Sequence, residues 1–445
     1  MKKQASGSKL SERKKQENWE ETRLQFLSTI KNSNVDKKAE ENEDHVLLCN
    51  YVDVYYNDFI TSEISFMPAS ATKEEISKFQ ILKGDVIITK DSESADDIGI
   101  PALVDEVLDN VICGYHLSLI RPSKDICPLY LLYFFQSTYA QSYFEIYANG
   151  VTRFGLPLYA IKKIPILHPK YESQVLIAEY LQSKTAQIDA LISKKEELLK
   201  LLAEKRTALI TKAVTKGLNP DVKMQDSGVE WLGEIPEHWE VKKIKFVANC
   251  NVDKLPDNTD PDFEIRYVDI SSVNFDHGIT NKEDYVFEKA PSRARRRVTN
   301  GDTIVSTVRT YLKAIAYVES PEPNLIVSTG FAVLSPKSNF ISSKFFSYLL
   351  KSQPFIQYVM ANSNGVSYPA INPSSIMDFY MVIPPFKEQN DIEQKVEGIL
   401  SSSVLIESKI IKAIEQLKEY RTALITHAVT GKLDLSKYQS EEEAS

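Results

Sequence analysis

The strongest constraint on this chain is an internal repeat between its middle and its C-terminal end. Residues 204–215 read EKRTALITKAVT, and residues 419–430 read EYRTALITHAVT. The offset of 215 residues also carries Gln174 onto Gln389 without an insertion. Because one inserted residue would rotate the rest of a helix by about 100°, the two copies are predicted to be matching helices. The chain is therefore an internal duplication.

The duplication extends back from the helices into the preceding parts of the chain. Residues 149–152, NGVT, align at the same offset with residues 364–367, NGVS. Near the start, residues 17–20, ENWE, recur as EHWE at 237–240. A period of this size is too long for a solenoid repeat and fits two domains of ordinary size. The predicted order is globular domain, long helix, globular domain, long helix.

The repeat also sets the predicted boundaries. The predicted segments are a disordered tail at 1–17, a first globular domain at 18–169, a long helix with its linker at 170–219, a second globular domain at 220–384, a second long helix at 385–432 and an acidic tail at 433–445. The predicted fold class of the globular domains is mixed α/β (α+β).

The helical segments show the spacing of a coiled coil. In the second copy, apolar residues alternate four and three apart over 392–424, with Ile406 and Tyr420 among them. The first copy has lysines at some seam positions, such as Lys184 and Lys195. A helix of about 40 residues extends roughly 60 Å, which argues against an ordinary core helix. We predict an antiparallel coiled coil that separates the globular domains, with a pseudo-twofold axis relating the copies.

Net charge argues only weakly about binding partners. The chain has 61 acidic and 53 basic residues, an excess that is unusual for a nucleic-acid-binding protein. Two stretches depart from this average: 293–297 reads RARRR, and 308–313 reads VRTYLK, in which basic and aromatic residues mix. A charge run is usually only a solvated face. Whether the chain can bind nucleic acid therefore depends on the local distribution of charge and not on the net charge.

Cysteine spacing and the length of apolar runs indicate the cellular compartment in which the chain is expected to work. The four cysteines show no CxxC spacing, so neither a zinc site nor a disulfide framework is predicted. No apolar run approaches the ~18 residues expected of a transmembrane helix. We expect a cytoplasmic protein without a membrane association.

Tests for catalytic motifs give negative results. The sequence lacks the GxxxxGK[ST] phosphate loop, glycine-rich cofactor loops and the HExxH metal motif. The segment 383–386, IPPF, resembles an amino-methyltransferase signature, but Ile383 lacks the required polar group. Asp221, Glu240 and Lys242 match a loose nuclease pattern, yet the first copy lacks the lysine. We predict a chain without catalytic residues, metal or cofactor of its own.

Two divergent globular segments that lead into near-identical helices closely resemble the specificity subunit of type I restriction-modification systems. The most specific matches are PFKEQ at 385–389, the repeat endings around Arg206 and Arg421, and GVEWLGEIPEHW at 228–239. The first copy departs from the usual pattern at 172–174, ESQ, where a Glu-Gln pair is typical. The resemblance covers nearly all of the chain after about residue 17.

The resemblance implies a non-catalytic subunit that gives a larger complex its DNA sequence specificity. Each globular domain would read one half of a bipartite, asymmetric double-stranded DNA target, and the helices would set the gap between the halves. The implied protein partners are two methyltransferase (modification) subunits and, in the larger complex, restriction/translocase subunits. Those partners, not this chain, would use S-adenosylmethionine, ATP and Mg. The predicted docking positions on the helices are Arg206, Thr207, Arg421 and Thr422.

The chemistry of base reading selects candidate DNA-binding residues. Planar donors such as arginine read base edges, whereas lysine and hydroxyl groups contact phosphates. The candidates in the first domain are Lys90, Thr152, Arg153 and Phe154. The candidates in the second domain are Thr307, Arg309, Tyr311, Lys313, Ser367 and Tyr368. Arg153 and Arg309 are predicted to lie at base edges, and Lys313 on a phosphate.

Two other interpretations stay open at the level of the sequence. The chain could be the recognition part of a self-contained restriction or modification enzyme, although it lacks the catalytic motifs. It could also be a DNA-free coiled-coil scaffold, which its acidic balance would suit. A DNA-reading complex should lose affinity steeply as salt rises, whereas a scaffold has no DNA affinity to lose.

Overall fold

The computed structural model describes residues 19–37, 40 and 42–433. The tail predicted at 1–17 lies outside these residues, as does the predicted acidic tail beyond residue 433. The chain divides into two compact units. The first unit holds the chain up to Lys195 and from Ile411 onward, and the second unit holds Glu196–Ile410. Each unit thus combines one globular part with a segment of each long helix.

The globular part of the first unit is built from short strands and helices. Its strands are β1 (Glu20–Arg23), β2 (Ser28–Asn32), β3 (Asp44–Cys49), β4 (Phe59–Ile60), β5 (Met67–Ala71), β6 (Val86–Thr89), β7 (Asp91–Ser92), β8 (Pro101–Val104), β9 (Val111–Cys113), β10 (Leu117–Pro122), β11 (Asn149–Gly150), β12 (Phe154–Gly155) and β13 (Pro165–His168). Its helices are α1 (Leu24–Leu27), α2 (Tyr51–Tyr55), α3 (Lys73–Phe79), α4 (Pro128–Gln136), α5 (Thr138–Tyr147) and α6 (Leu158–Lys163). The long helix α7 (Tyr171–Lys216) follows.

The second unit has a comparable set of elements. Its strands are β14 (Met224–Asp226), β15 (Glu234–Pro236), β16 (Glu240–Lys243), β17 (Ala248–Cys250), β18 (Glu264–Val268), β19 (Val273–Asn274), β20 (Gly278–Ile279), β21 (Glu283–Val286), β22 (Ala294–Arg297), β23 (Thr303–Ser306), β24 (Ile315–Tyr317), β25 (Leu325–Ser328), β26 (Phe331–Pro336) and β27 (Tyr380–Ile383). Its helices are α8 (Ile244–Val247), α9 (Ser343–Leu350), α10 (Gln353–Ala361) and α11 (Pro373–Met377), and the long helix α12 (Phe386–Val429) follows.

The sheets of the two units share a topology. The first unit orders four strands of one sheet β2-β10-β6-β8, and the second unit orders the corresponding strands β17-β26-β23-β24. Beside them, β3 pairs in parallel with β9, and β18 pairs in parallel with β25. Antiparallel pairs β1·β13 and β16·β27 join the start and end of each globular part. The predicted fold class, two mixed α/β domains each followed by a long helix, is confirmed.

Two aromatic-rich helices, α4 and α9, lie in the cores of their units. Tyr130, Phe134 and Phe135 on α4 are fully buried, and so are Phe345 and Phe346 on α9. Each helix therefore presents aromatic surface to the sheet beside it. Burial of such rings is the largest apolar contribution that single side chains make to a core.

A buried glutamine fixes the start of each long helix. Gln174 accepts a hydrogen bond from Cys127 N (2.8 Å) and donates to Pro169 O (3.0 Å). Its repeat equivalent, Gln389, accepts from Ser342 N (2.7 Å) and donates to Pro384 O (2.8 Å). Because buried polar groups must be paired, the same amide makes equivalent bonds in both copies. The repeat of this glutamine in the sequence reflects that constraint.

Segments of α7 and α12 pack side by side within the second unit, in antiparallel order. Arg206 on α7 contacts Glu407 on α12. Further along α7, Val214 shares a buried core with Val396, which lies earlier on α12. The order along one helix is therefore reversed along the other. In the first unit, Arg421 on α12 contacts Asp189 on α7.

The heptad pattern was wrong at two positions of α12. Ile406 and Tyr420 were placed in the seam, but they are 44% and 58% exposed. The buried positions there include Ile410 and Ile414, which are four apart. A straight α-helix has 3.6 residues per turn, so it drifts away from a strict seven-residue repeat. None of the helices in the described part of the chain is both long and apolar enough to cross a membrane.

Candidate nucleic-acid interface

In the first unit, two segments that were predicted separately are joined in one small sheet. Strand β12 pairs on one side with β11 and on the other with β7. The pairing sets Phe154 opposite Ser92. Two residues further on, the backbone amide of Leu156 donates to Lys90 O over 2.7 Å. The turn-rich loop and the stretch around Lys90 therefore form one surface.

Arg153 projects from this surface beside an acid and a histidine. Its Nη2 donates to Asp91 Oδ1 over 2.7 Å and lies 3.1 Å from His116 Nδ1. The same His116 nitrogen is 3.0 Å from Asp91 Oδ2. The Arg153 side chain is 59% exposed. Because an exposed ion pair is worth only about 0–1 kcal/mol, Arg153 is oriented but free to exchange Asp91 for another acceptor.

The other predicted residues of the first domain differ in accessibility. Thr152 is exposed and Phe154 is half-buried. Lys90 is half-buried, and its Nζ donates to Ser33 O (2.7 Å) and lies 4.6 Å from the centroid of the Tyr115 ring. Burial lowers the pKa of Lys90. Lys90 is therefore the least available of the predicted contacts in this domain.

The second unit also brings its two predicted segments together. Val308 and Asn364 both form backbone bridges to Ala370. The hydroxyl of Thr310 lies 2.9 Å from the hydroxyl of Ser363. The stretch around Arg309 and the loop that precedes α11 therefore form one surface, as in the first unit.

Within this surface, Thr307 points inward and its neighbours point outward. Thr307 is buried, and its Oγ1 donates to Gly330 O over 2.8 Å. In contrast, Tyr311 is 51% and Tyr368 is 67% exposed. Lys313 and Ser367 are exposed as well. The structure thus displays five of the six residues predicted for the second domain.

Two of the displayed residues adopt a backbone conformation that is rare for residues with a side chain. Arg309 has φ 51° and Lys313 has φ 50°, which places both in the left-handed region. They flank the short 3-10 helix Thr310–Leu312. The guanidinium carbon of Arg309 lies 5.2 Å from the centroid of the Tyr368 ring, within cation–π range. Where Arg153 faces an acid, Arg309 faces an aromatic ring.

The sequence analysis missed His116 and the half-exposed Tyr115 beside it. They lie in the connection between β9 and β10, which holds Gly114, Tyr115 and His116. The corresponding connection in the second unit, between β25 and β26, holds only Thr329 and Gly330. A careful alignment of the two copies would reveal this extra residue, directly after a buried parallel strand.

The helix residues predicted for docking face their own units. Arg206 is buried and contacts Asp276 and Glu407. Arg421 contacts Asp58 and Asp189. The hydroxyl groups of the adjacent threonines bond to the carbonyl four residues earlier, from Thr207 to Ala203 (3.0 Å) and from Thr422 to Lys418 (3.1 Å).

Groups of three or more His, Cys, Asp or Glu that could hold a metal do not occur among residues 19–37, 40 and 42–433. Cys49 and Cys113 are fully buried, and burial raises the pKa of both thiols. A thiol with a raised pKa is a poor nucleophile and a poor metal ligand, because both roles need the thiolate.

Comparison with known proteins gives one consistent family. The model for the "Type I restriction modification DNA specificity domain" matches residues 16–201 and 236–416. A relative from Methanocaldococcus jannaschii, the putative type I restriction enzyme MjaX specificity subunit, is 24% identical over 366 residues, or 81% of each chain. The type I restriction enzyme StySPI specificity subunit of Salmonella potsdam is 22% identical over 400 residues, which is 88% of this chain and 83% of that one.

A solved structure shares the fold along nearly the whole chain. It comes from work on "complex assembly and conformational transition of the type I R-M system" and superposes with a TM-score of 0.68. It is 15% identical and covers 94% of this chain and 98% of that chain. At this identity the likeness concerns the fold alone.

Proposed function

The chain belongs to the family of type I restriction modification DNA specificity domains, and from that premise we propose that each of its globular parts reads one half of a bipartite, asymmetric DNA target. As a specificity subunit it is non-catalytic, and catalysis lies in partner subunits. The proposed domains span 18–169 and 220–384. Because their sequences have diverged, the two half-sites need not match.

One observation carries the assignment of the reading surfaces. In each unit the fold joins two distant segments into a single surface, and that surface displays an exposed arginine, Arg153 or Arg309. A guanidinium can bind the O6 and N7 atoms of guanine through two hydrogen bonds, which is a frequent specific contact in the major groove. Aromatic and hydroxyl neighbours can contact the sugar-phosphate backbone.

The remaining predicted residues receive supporting roles. Lys313, Thr152 and Ser367 are exposed and are proposed to contact phosphates, which fix register without reading sequence. Tyr311 and Tyr368 would pack beside the bases or the sugars. Lys90 and Thr307 are engaged inside their domains, so we propose that they support the surface.

The family also suggests the binding partners of this chain. We propose that double-stranded DNA and two methyltransferase subunits bind this chain, with restriction/translocase subunits in a larger cytoplasmic complex. The outer faces of α7 and α12 would dock the methyltransferases. S-adenosylmethionine, ATP and Mg would be used by those partners.

Methylome sequencing tests the proposal. The chain would be expressed with its modification subunit in a host that lacks other methyltransferases, alongside Arg153→Ala and Arg309→Ala. A single two-part motif is expected, and each variant should lose discrimination at one base pair of a different half by about 10- to 100-fold. The matched control is Arg23→Ala, which removes an exposed arginine from β1. An assembled wild-type complex that methylates nothing, or a motif without a gap, would refute the proposal.

A further inference from the structure

Arg206 and Arg421 occupy the same position of the internal repeat, in the shared segment RTALIT. A solvent-facing docking residue would be expected to point away from its own unit. Both arginines instead reach across to an aspartate of the globular part and to an acid of the other long helix. We call each arginine with its two acids a clamp.

In the clamp of the second unit the arginine is buried and both of its ion pairs are short. Arg206 Nη2 lies 2.5 Å from Asp276 Oδ1, and Nη1 lies 2.7 Å from Glu407 Oε1. The Arg206 side chain is only 8% exposed. A guanidinium presents its donors in a fixed planar fork, so two acceptors held at once define an orientation as well as a distance.

Asp276 lies in a turn that is fixed by hydrogen bonds. It lies between β19 and β20, where Asn274 Oδ1 accepts hydrogen bonds from the backbone amides of Asp276 (2.8 Å) and His277 (3.1 Å). On the other side of the turn, Lys351 Nζ donates to Phe275 O over 2.8 Å. The turn is therefore held by Arg206 of α7 on one side and by Lys351, directly after α9, on the other.

The first unit repeats the device with more exposure to solvent. Arg421 Nη2 lies 2.8 Å from Asp58 Oδ2, and its Nε lies 3.0 Å from Asp189 Oδ1. Gln136 Nε2 supports the aspartate by donating to Asp58 Oδ1 over 2.8 Å. The Arg421 side chain is 20% exposed. The same arginine thus joins helix to domain in both copies, although the surrounding loops differ.

We propose that Arg206 and Arg421 are positioning residues that fix the orientation of each recognition domain on its helices and so restrict the target to one gap length. The inference rests on the proposed function, since a gap exists only if two half-sites are read. It also gives the repeated arginines a role within the chain, apart from any contact with partner subunits.

The geometry of DNA makes the gap a sensitive measure of this orientation. Each added base pair moves a half-site by about 3.4 Å and turns it by about 34°. A domain whose aspartate is held at a fixed angle by an arginine fork, itself oriented by an acid of the other helix, can meet only one such register. A domain that has lost the link between its aspartate and the fork can turn far enough to meet a neighbouring register.

The test compares gap lengths in the methylomes of the full complex, for wild type and for variants that weaken one link at a time. Arg206→Lys keeps the charge but loses the fork, Asp276→Asn weakens the link to the domain, and Glu407→Gln weakens the link between the helices. In the first two variants, methylation of sites with the same halves and a gap one base pair longer or shorter should rise at least about tenfold. Glu407→Gln should change the gap least. Lys205→Ala, an exposed neighbour on α7, is the matched control and should keep the wild-type gap.

The outcomes separate this inference from the proposed function. If wild type yields no two-part motif, the proposed function fails first. If wild type yields the motif but Arg206→Lys and Asp276→Asn keep a single gap, the positioning role is refuted, as it is if only Glu407→Gln widens the gap. A loss of thermal stability with an unchanged gap counts as refutation too. Should the buried variants fail to assemble, Asp58→Asn in the more exposed clamp provides the same readout: a widened gap supports the positioning role, and a single gap refutes it.

Discussion

The two globular parts share one strand order, but the charged and aromatic residues around their equivalent positions differ. At the candidate interface, Arg153 of the first part is held by Asp91, whereas Arg309 of the second lies over the Tyr368 ring. At the helix end, the offset of 215 residues sets Gln136 in the first part opposite Lys351 in the second. The duplication has thus kept the contacts that build the scaffold, while the charges beside those contacts have diverged.

The different partners of Arg153 and Arg309 should affect how each globular part recognises DNA. Arg153 must leave a carboxylate before it binds a base, so a base that offers a single acceptor competes poorly. Arg309 keeps its full charge while the ring orients it, so it also attracts any phosphate. We expect the first part to discriminate more and the second part to contribute more to general affinity.

The largest expected effect lies at the helix end of the second part. Burial lowers the pKa of Lys351 from 10.5 to about 8. Below pH 8 the folded chain must hold a buried charge, and between pH 8 and 10.5 the unfolded chain binds more protons than the folded one. The free energy of unfolding should therefore rise with pH in this window, by at most about 3 kcal/mol.

The matched variant is Lys351→Gln, which installs the first part's residue. It should be more stable than wild type at pH 7, and the difference should shrink as the pH approaches 10.5. Chemical denaturation of both full chains at several pH values measures this. A difference that stays constant across the window would show that the Lys351 amine titrates normally in the folded protein.

The next effect concerns the hairpin of the first interface. Gly150 has φ +155°, and a Cβ there would overlap the carbonyl oxygen of Arg153. Gly150→Ala should distort the hairpin at a cost of about 2 kcal/mol and abolish reading of the first half-site. Gly365→Ala in the loop before α11 is the comparison: its φ of +107° also disfavours a side chain, but its Cβ would lie 3.1 Å from the nearest atom, Tyr368 O, so a smaller loss is expected. Equal losses of methylation in both variants would contradict the difference between the two positions.

A smaller effect of opposite sign is expected from Asp91→Asn. The variant frees the charge of Arg153, so the complex should bind its target up to about fivefold more tightly at low salt. The slope of log affinity against log salt should steepen by about one. Titrations of the assembled complex at several salt concentrations measure both quantities. Weaker binding would mean that Asp91 serves chiefly to orient Arg153.

The smallest effect is expected from Tyr368→Leu, which removes the ring under Arg309. Losing an exposed cation–π contact should cost about 0.5–1 kcal/mol, or roughly two- to fivefold in affinity. Arg309→Lys should cost more than this, because lysine keeps the charge but loses the planar fork proposed to read the base. If Tyr368→Leu instead weakens binding as strongly as Arg309→Ala, the ring itself contacts DNA.

Much of the scaffold could be predicted from the sequence, because it depends on local periodicity and on the repeat. The repeated segments around Arg206 and Arg421 were predicted to be matching helices, and the repeat of Gln174 as Gln389 marked both helix starts. The heptad pattern was wrong at Ile406 and Tyr420, since the seam of a long helix depends on what packs against it. Sequence spacing carries no record of that packing.

The side chains that pair with charged residues were harder to predict from the sequence than the scaffold. The sequence singled out Arg206 by its repeat, but its acid Asp276 lies in a loop of variable length outside the fixed offset. His116 was missed because its partners, Asp91 and Arg153, are brought to it by separate strands. Arginine at an interface can be predicted from chemistry, whereas the acid or ring that holds it is fixed only by the fold.

The left-handed backbone at Arg309 and Lys313 has a consequence for how the second domain can evolve. Residues with branched Cβ atoms are strongly disfavoured at φ near 50°. Substitutions accepted at these two sites should therefore be limited mostly to glycine, asparagine, aspartate and residues with unbranched side chains. Tyr311, Ser367 and Tyr368 do not have a positive φ, so their backbones accept a wider range of residues. Changes in target preference should therefore arise more readily at these three positions, and natural variants of this domain should differ there first.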